Sequence, residues 1–139
     1  MSEANERPRS VTVIGWFLVV AAVLSVLVGV PMALAPPEPI RAFWPQIYND
    51  ASPLALSAFF VAASALTLWC GWGLLAAKAV ARSVTVGYFV VVSVVGFVLY
   101  PLEPIYVFNG LTNVGFTLVV WYFLYRPAVS DYFESTAET

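Results

Sequence analysis

The sequence predicts an all-α membrane protein, an antiparallel bundle of four transmembrane helices with a short interfacial segment in its outer loop. Three observations carry this expectation. The chain is 61% hydrophobic and only 10% charged, its mean hydropathy is +0.87, and its few charges cut it into four long apolar runs. Soluble domains hold about 45–50% apolar and about 25% charged residues. So few charges cannot cover so much apolar surface in water, which makes lipid the expected solvent. The 139 residues are enough for one domain.

The runs lie between Arg9 and Glu38, Asp50 and Lys78, Arg82 and Glu103, and Glu103 and Arg126. A hydrocarbon core of about 30 Å needs about 20 apolar residues at 1.5 Å rise. Backbone groups in lipid must be satisfied within the segment, so the runs are read as helices. They are placed at Val11–Leu34, Leu54–Ala77, Ser83–Tyr100 and Ile105–Tyr125. An outer loop at 35–52 and a cytoplasmic tail at 126–139 complete a single integral membrane domain.

Local signals mark the ends. Ser52-Pro53 reads as an N-cap followed by proline in the first turn of the second span. Pro101-Leu-Glu-Pro104 reads as a very short turn, and Pro31 is expected to kink the outer end of the first span. A signal peptide is the competing reading of the first run, because Ala33-Leu-Ala35 resembles a cleavage site. The length of the run, Pro36 after that site, and Glu3 and Glu6 before it all argue for a retained span.

Orientation follows from lysine and arginine near the span ends. Arg7, Arg9, Lys78, Arg82 and Arg126 fall on one side of a four-span chain and only Arg41 on the other. The side with five is expected to be cytoplasmic, and both termini with it. Aromatic residues gather at both borders: Trp16, Trp69, Trp72, Tyr88, Trp121, Tyr122 and Tyr125 toward the cytoplasm, and Trp44, Tyr48, Tyr100 and Tyr106 toward the outside. Such amphipathic rings suit the headgroup level.

Two patterns concern packing. Gly15, Ala22 and Gly29 are seven apart in the first span, with Ser25 near that face, and Ser57, Ser64 and Gly71 repeat the interval in the second. Small residues at this period are expected to form helix contacts. In addition, Arg9-Ser-Val-Thr-Val13 recurs as Arg82-Ser-Val-Thr-Val86, and Gly15-Trp-Phe17 is echoed by Gly87-Tyr-Phe89 one residue out of register. The echo reads as a degenerate repeat of two hairpins in parallel orientation. Convergence of valine-rich helix starts is the other explanation.

The chain has one cysteine, Cys70, and no histidine. A thiol pair for a disulfide or redox relay is therefore missing, as is an imidazole for haem, metal or general-base work. Quinone-linked thiol oxidoreductases are excluded by the lone thiol. Proton-coupled exporters similar to the small multidrug family need a carboxylate within a span, and no Asp or Glu interrupts one. Intramembrane aspartyl or metal-dependent hydrolases fail on the same ground. Haem electron transfer lacks ligands, since Met1 is terminal and Met32 stands alone. No catalytic, cofactor-binding or metal-binding residue is expected, and no cofactor. A net charge of −2 without a basic stripe gives no reason to expect a nucleic acid partner.

The candidate polar face is on the fourth span, where Asn109, Asn113 and Thr117 are four apart, with Thr112 beside them. Polar groups at that depth are expected to face other helices. They serve either as interhelical glue, with Ser25, Ser57 and Ser64 as available partners, or as a vestibule for a small solute or lipid headgroup. The candidate outer-loop interface is Arg41, Phe43 and Trp44, where Ile40, Phe43 and Trp44 share a face suited to a membrane surface or a partner subunit. Glu103 is expected at the headgroup boundary near Arg41, with a protonatable gate as the alternative. Val129, Tyr132 and Phe133 form one face in the tail, but Glu134, Glu138 and the small residues beyond predict disorder there.

Gly71-Trp-Gly-Leu-Leu-Ala-Ala-Lys-Ala-Val-Ala-Arg82 resembles a junction of small uncharacterised bacterial inner-membrane proteins, in which a helix ends in Gly-x-Gly-Leu-Leu before Lys and an aromatic-Ala-Arg start. Arg7-Pro-Arg-Ser-Val-Thr-Val13 and Tyr125-Arg-Pro-x-Val129 look like the beginning and end of such chains. Val80 stands where that junction usually has Trp. The resemblance implies a four-helix protein of the bacterial inner (plasma) membrane and transfers no activity or site residue. Two functions remain. One is a structural or accessory subunit packing against membrane lipid, a membrane-protein partner or its own copies. The other is a small-solute pathway or lipid-binding bundle.

Overall fold

The computed structural model describes residues 7–43, 48–49, 51–99 and 104–137, and among these it is helical with no strand. Helix α1 spans Arg9–Leu34, 26 residues long and apolar enough to cross a membrane. Its turn at Ser25–Gly29 is a π-helix, just before Pro31. Proline offers no N–H to the carbonyl four residues back and crowds it. That carbonyl belongs to Leu27, inside the wide turn, so the irregularity expected at Pro31 is expressed one turn earlier.

Helix α2, Glu38–Phe43, is the short outer segment. It opens on Pro37, whose carbonyl accepts from the Ile40 and Arg41 N–H groups at 2.9 and 3.1 Å. Helix α3, Pro53–Leu75, has 23 residues and is again long and apolar enough to cross. Ser52 caps it, its Oγ accepting from the Ala55 N–H at 3.1 Å. This N-cap followed by proline is the arrangement the sequence predicts.

Helix α3 ends two residues before the expected Ala77. Ala77 has φ 57°, in the left-handed region. The Lys78 N–H bonds the Gly73 carbonyl at 2.8 Å and the Ala77 N–H bonds that of Leu74 at 3.1 Å. This pair of bonds is a Schellman closure, which satisfies carbonyls the helix end would orphan. After a turn of three residues helix α4, Ala79–Leu99, begins, four residues ahead of the expected Ser83. Lys78 lies in the connecting turn and Arg82 already within α4, so the two charges do not bound the connection as the sequence suggests. The corner is tight: a β-carbon added at Gly73 would lie 2.5 Å from Cβ of Ala81.

Helix α5, Pro104–Tyr125, matches its expected bounds to within one residue. The described parts of α4 and α5 hold shorter apolar stretches, Ala79–Val95 and Gly110–Tyr125. The tail departs from expectation most. Pro127–Ala137 is helix α6, begun by proline at its first position. Val129 and Phe133 are fully buried and Tyr132 nearly so. The three residues at i, i+3 and i+4 form one apolar stripe, and burial of that stripe outweighs the polar composition that predicts disorder.

The chain divides into two compact units, one of residues up to Trp16 with those from Cys70 onward, the other Phe17–Trp69. In the first, Val11, Leu74, Ala81, Val120, Leu124, Val129 and Phe133 are buried. Gly15 sits against α3 of the same unit, where an added β-carbon would come within 2.8 Å of Leu75 Cγ and 3.2 Å of the Gly71 carbonyl. In the second, Leu18, Ala22 and Ala33 are buried, and an added β-carbon at Gly29 would meet the Phe60 ring at 2.7 Å. The small residues at seven-residue spacing are thus buried, as the period predicts.

The two copies of the echoed motif do not pack alike. In the first copy its third residue, Val11, is buried, and in the second its fourth, Thr85. Gly15 is crowded, whereas a β-carbon at Gly87 would meet nothing within 4 Å.

Candidate functional site

The polar face of α5 closes on α4. Thr117, 8% exposed, donates its hydroxyl hydrogen to the Asn113 carbonyl at 2.7 Å. Ser93 of α4, 5% exposed, donates to the Phe89 carbonyl at 2.8 Å. The two hydroxyl oxygens lie 3.4 Å apart. Each hydroxyl has one hydrogen, already directed to its own helix in the back-bonding habit of Ser and Thr. Close packing therefore joins the pair more than a strong shared bond does. Phe89 and Phe116 meet edge to face beside them, centroids 5.0 Å apart.

Asn113 is half-buried. The side chain of Asn109 lies outside the described residues, as do Glu103, Trp44 and the side chain of Phe43. Arg41 is exposed on α2. Of the serines expected as partners, Ser57 bonds the Pro53 carbonyl of its own helix at 2.7 Å, and the buried Ser64 hydroxyl has no hydrogen-bond partner among the described residues. Ser93 is the residue that meets Thr117. Sequence reasoning passed over it because Ser93 lies among five valines and a glycine, with no polar neighbour to set its helical face.

A second group of polar residues stands where α4, α5, α6 and the start of α1 meet, all within the first unit. Arg82 of α4 donates to Ser130 Oγ of α6 at 3.1 Å. Its guanidinium lies 4.5 Å from the Tyr125 ring centroid and 5.4 Å from that of Phe133. Arg126, just after α5, donates to Ser10 Oγ of α1 at 3.1 Å and stands 5.7 Å from the Phe123 centroid. The Ser83 and Tyr125 hydroxyls are 3.1 Å apart. Among the described residues each arginine keeps a buried Nε without a hydrogen-bond partner, and both donate to serines rather than carboxylates.

The signal for this cluster was present in the chain. Arg82 and Arg126, on which the expected orientation rests, are the residues used, and the stripe on the tail brings Ser130 to Arg82. What composition could not give was that α6 folds back.

Arg126 also lines a cavity of about 330 Å³ with Trp121, Tyr122, Tyr125 and Pro127. In the second unit an apolar groove of about 380 Å³ runs between Ala22–Leu27 and Val61–Leu68, lined by Ser64 as its polar residue. Cys70 is buried with the Thr85 hydroxyl beside it. Among the described residues no group of three or more His, Cys, Asp or Glu is placed to hold a metal ion. No protein-family model, curated protein or solved structure matches the chain.

Proposed function

We propose that this chain crosses the bilayer four times, with both ends in the cytoplasm of a bacterial cell, and acts as a non-enzymatic structural or accessory subunit that packs against lipid or a larger membrane complex. Helix length supports four crossings. At 1.5 Å per residue, α1, α3, α4 and α5 all reach about 30 Å or more, the thickness of the hydrocarbon core. The five-to-one split of lysine and arginine supports the orientation.

One observation carries the choice of function. Thr117 turns its hydroxyl back onto its own helix and packs on Ser93, so at this level the polar face is spent on packing. Large apolar side chains such as Val94, Val95, Leu111, Leu118 and Val119 face outward instead, as lipid or a partner helix requires. A small-solute pathway along Asn109, Asn113 and Thr117 is the alternative, and it needs those groups to line open space.

Reconstitution separates the two. The purified chain in liposomes should leave them as tight to ions and small neutral solutes as empty vesicles, and Thr117→Val should change nothing. Solute flux that falls with Asn113→Leu would overturn the proposal in favour of a pathway.

A further inference from the structure

We infer that Arg126 and the aromatic residues around it form a binding site for the phosphate of an anionic glycerophospholipid of the cytoplasmic leaflet. The inference rests on the membrane placement proposed above and adds a ligand to it.

The two arginines of the cluster are not equivalent. Arg82 is enclosed by its own chain, with Ser130 at its tip and the rings of Tyr125 and Phe133 against its guanidinium. It fastens α6 to α4. Arg126 has Ser10 on one terminal nitrogen and borders the 330 Å³ cavity, a volume within the range of about 300–1,000 Å³ typical of small-molecule sites. A guanidinium offers five N–H donors, and among the described residues the acceptor that Arg126 meets is a neutral hydroxyl. No carboxylate among the described residues pairs with it, and in its half-buried position an anion that does so is favourable.

The remaining walls fit one class of anion. Trp121 and Tyr122 are exposed rings one turn before Arg126, and Tyr125 adjoins it. Rings of this kind occupy the boundary between headgroup and acyl chain. A lipid phosphate on the Arg126 fork, with glycerol and the first methylenes over Trp121 and Tyr122, satisfies charge and apolar surface together. Arginine suits this task because its planar fork matches phosphate geometry. Anionic lipids are concentrated in the cytoplasmic leaflet, where basic pockets between helices bind their headgroups. Free inorganic phosphate would use the same fork and leave the aromatic walls unused.

Native mass spectrometry of the full chain in nanodiscs of equal phosphatidylglycerol and phosphatidylcholine tests this. The wild type should retain phosphatidylglycerol in preference. Arg126→Gln should reduce that preference about fivefold, the factor equivalent to roughly 1 kcal/mol per basic residue at an anionic surface. Tyr122→Ala, at an exposed ring whose loss leaves the core intact, should reduce it in the same direction and carries the test if Arg126→Gln does not fold. Millimolar inorganic phosphate should not displace the lipid. Equal retention of both lipids by the wild type, a preference untouched by both substitutions, or displacement by inorganic phosphate would overturn the inference. A failed membrane placement would look different, because the chain would not enter nanodiscs at all.

Discussion

Arg126 donates a hydrogen bond to Ser10 at 3.1 Å, joining residues 116 apart in sequence and tying the end of α5 to the start of α1. Ser83 lies 3.1 Å from the neighbouring Tyr125. The serines of the two echoed motifs thus both reach the end of α5, although the residues behind them are buried in different patterns. The relationship gives this end of the first unit a polar lock.

The lock includes α6, so the tail should be a stable part of the fold. Phe133→Ala should destabilise the chain by about 3 kcal/mol, the lower end for a buried Phe→Ala change. Glu134→Ala, at an exposed position, should have almost no effect. Thermal unfolding of both variants in detergent checks this, and equal, small effects would mean that α6 is not docked.

The echoed glycines should respond in opposite ways. Gly15→Ala forces a β-carbon against Leu75 and the Gly71 carbonyl, and overpacking of this kind costs about 1–3 kcal/mol. Gly87→Ala meets open space and replaces a poor helix former, so it should be neutral or slightly stabilising. Denaturant titrations of the pair would refute the asymmetry if both were destabilising.

Ala77 should be improvable. An L-residue in the left-handed conformation carries roughly 1–2 kcal/mol of steric strain that glycine lacks. Ala77→Gly should therefore raise stability by about 1 kcal/mol, read as a higher unfolding midpoint. An unchanged or lower midpoint would show that the Schellman closure does not strain this residue.

The polar pair on α4 and α5 should contribute little through hydrogen bonding. Both hydroxyls give their hydrogens to their own helices, so Thr117→Val, which keeps the shape, should cost no more than about 0.6 kcal/mol, the average for such bonds between membrane helices. Thr117→Phe should cost about 1–3 kcal/mol by overpacking. A double-mutant cycle with Ser93→Ala that returns a coupling well above 1 kcal/mol would contradict this reading.

Much of the helix order was legible because sparse charges punctuate the sequence. Arg126 and the Ser52-Pro53 cap placed the end of α5 and the start of α3 to within a residue. The small residues of α1 and α3 announced their buried faces through a seven-residue period. The start of α4 was not legible, because the positions of Lys78 and Arg82 do not say where the backbone turns. The turn depends on Ala77 adopting a conformation that sequence patterns assign to glycine. The fate of the tail depended on whether Val129, Tyr132 and Phe133 found a surface, which composition cannot reveal. The partner of Thr117 was hidden because a lone serine among valines has no periodicity to read.

The central claim is the four-span topology with both termini in the cytoplasm. Labelling of single cysteines in intact cells with a membrane-impermeant thiol reagent tests it most directly, since the native Cys70 is buried. Asp50→Cys should react from outside, while Ser2→Cys and Ser135→Cys should react only after the membrane is opened. Labelling of either terminal site in intact cells would contradict the account.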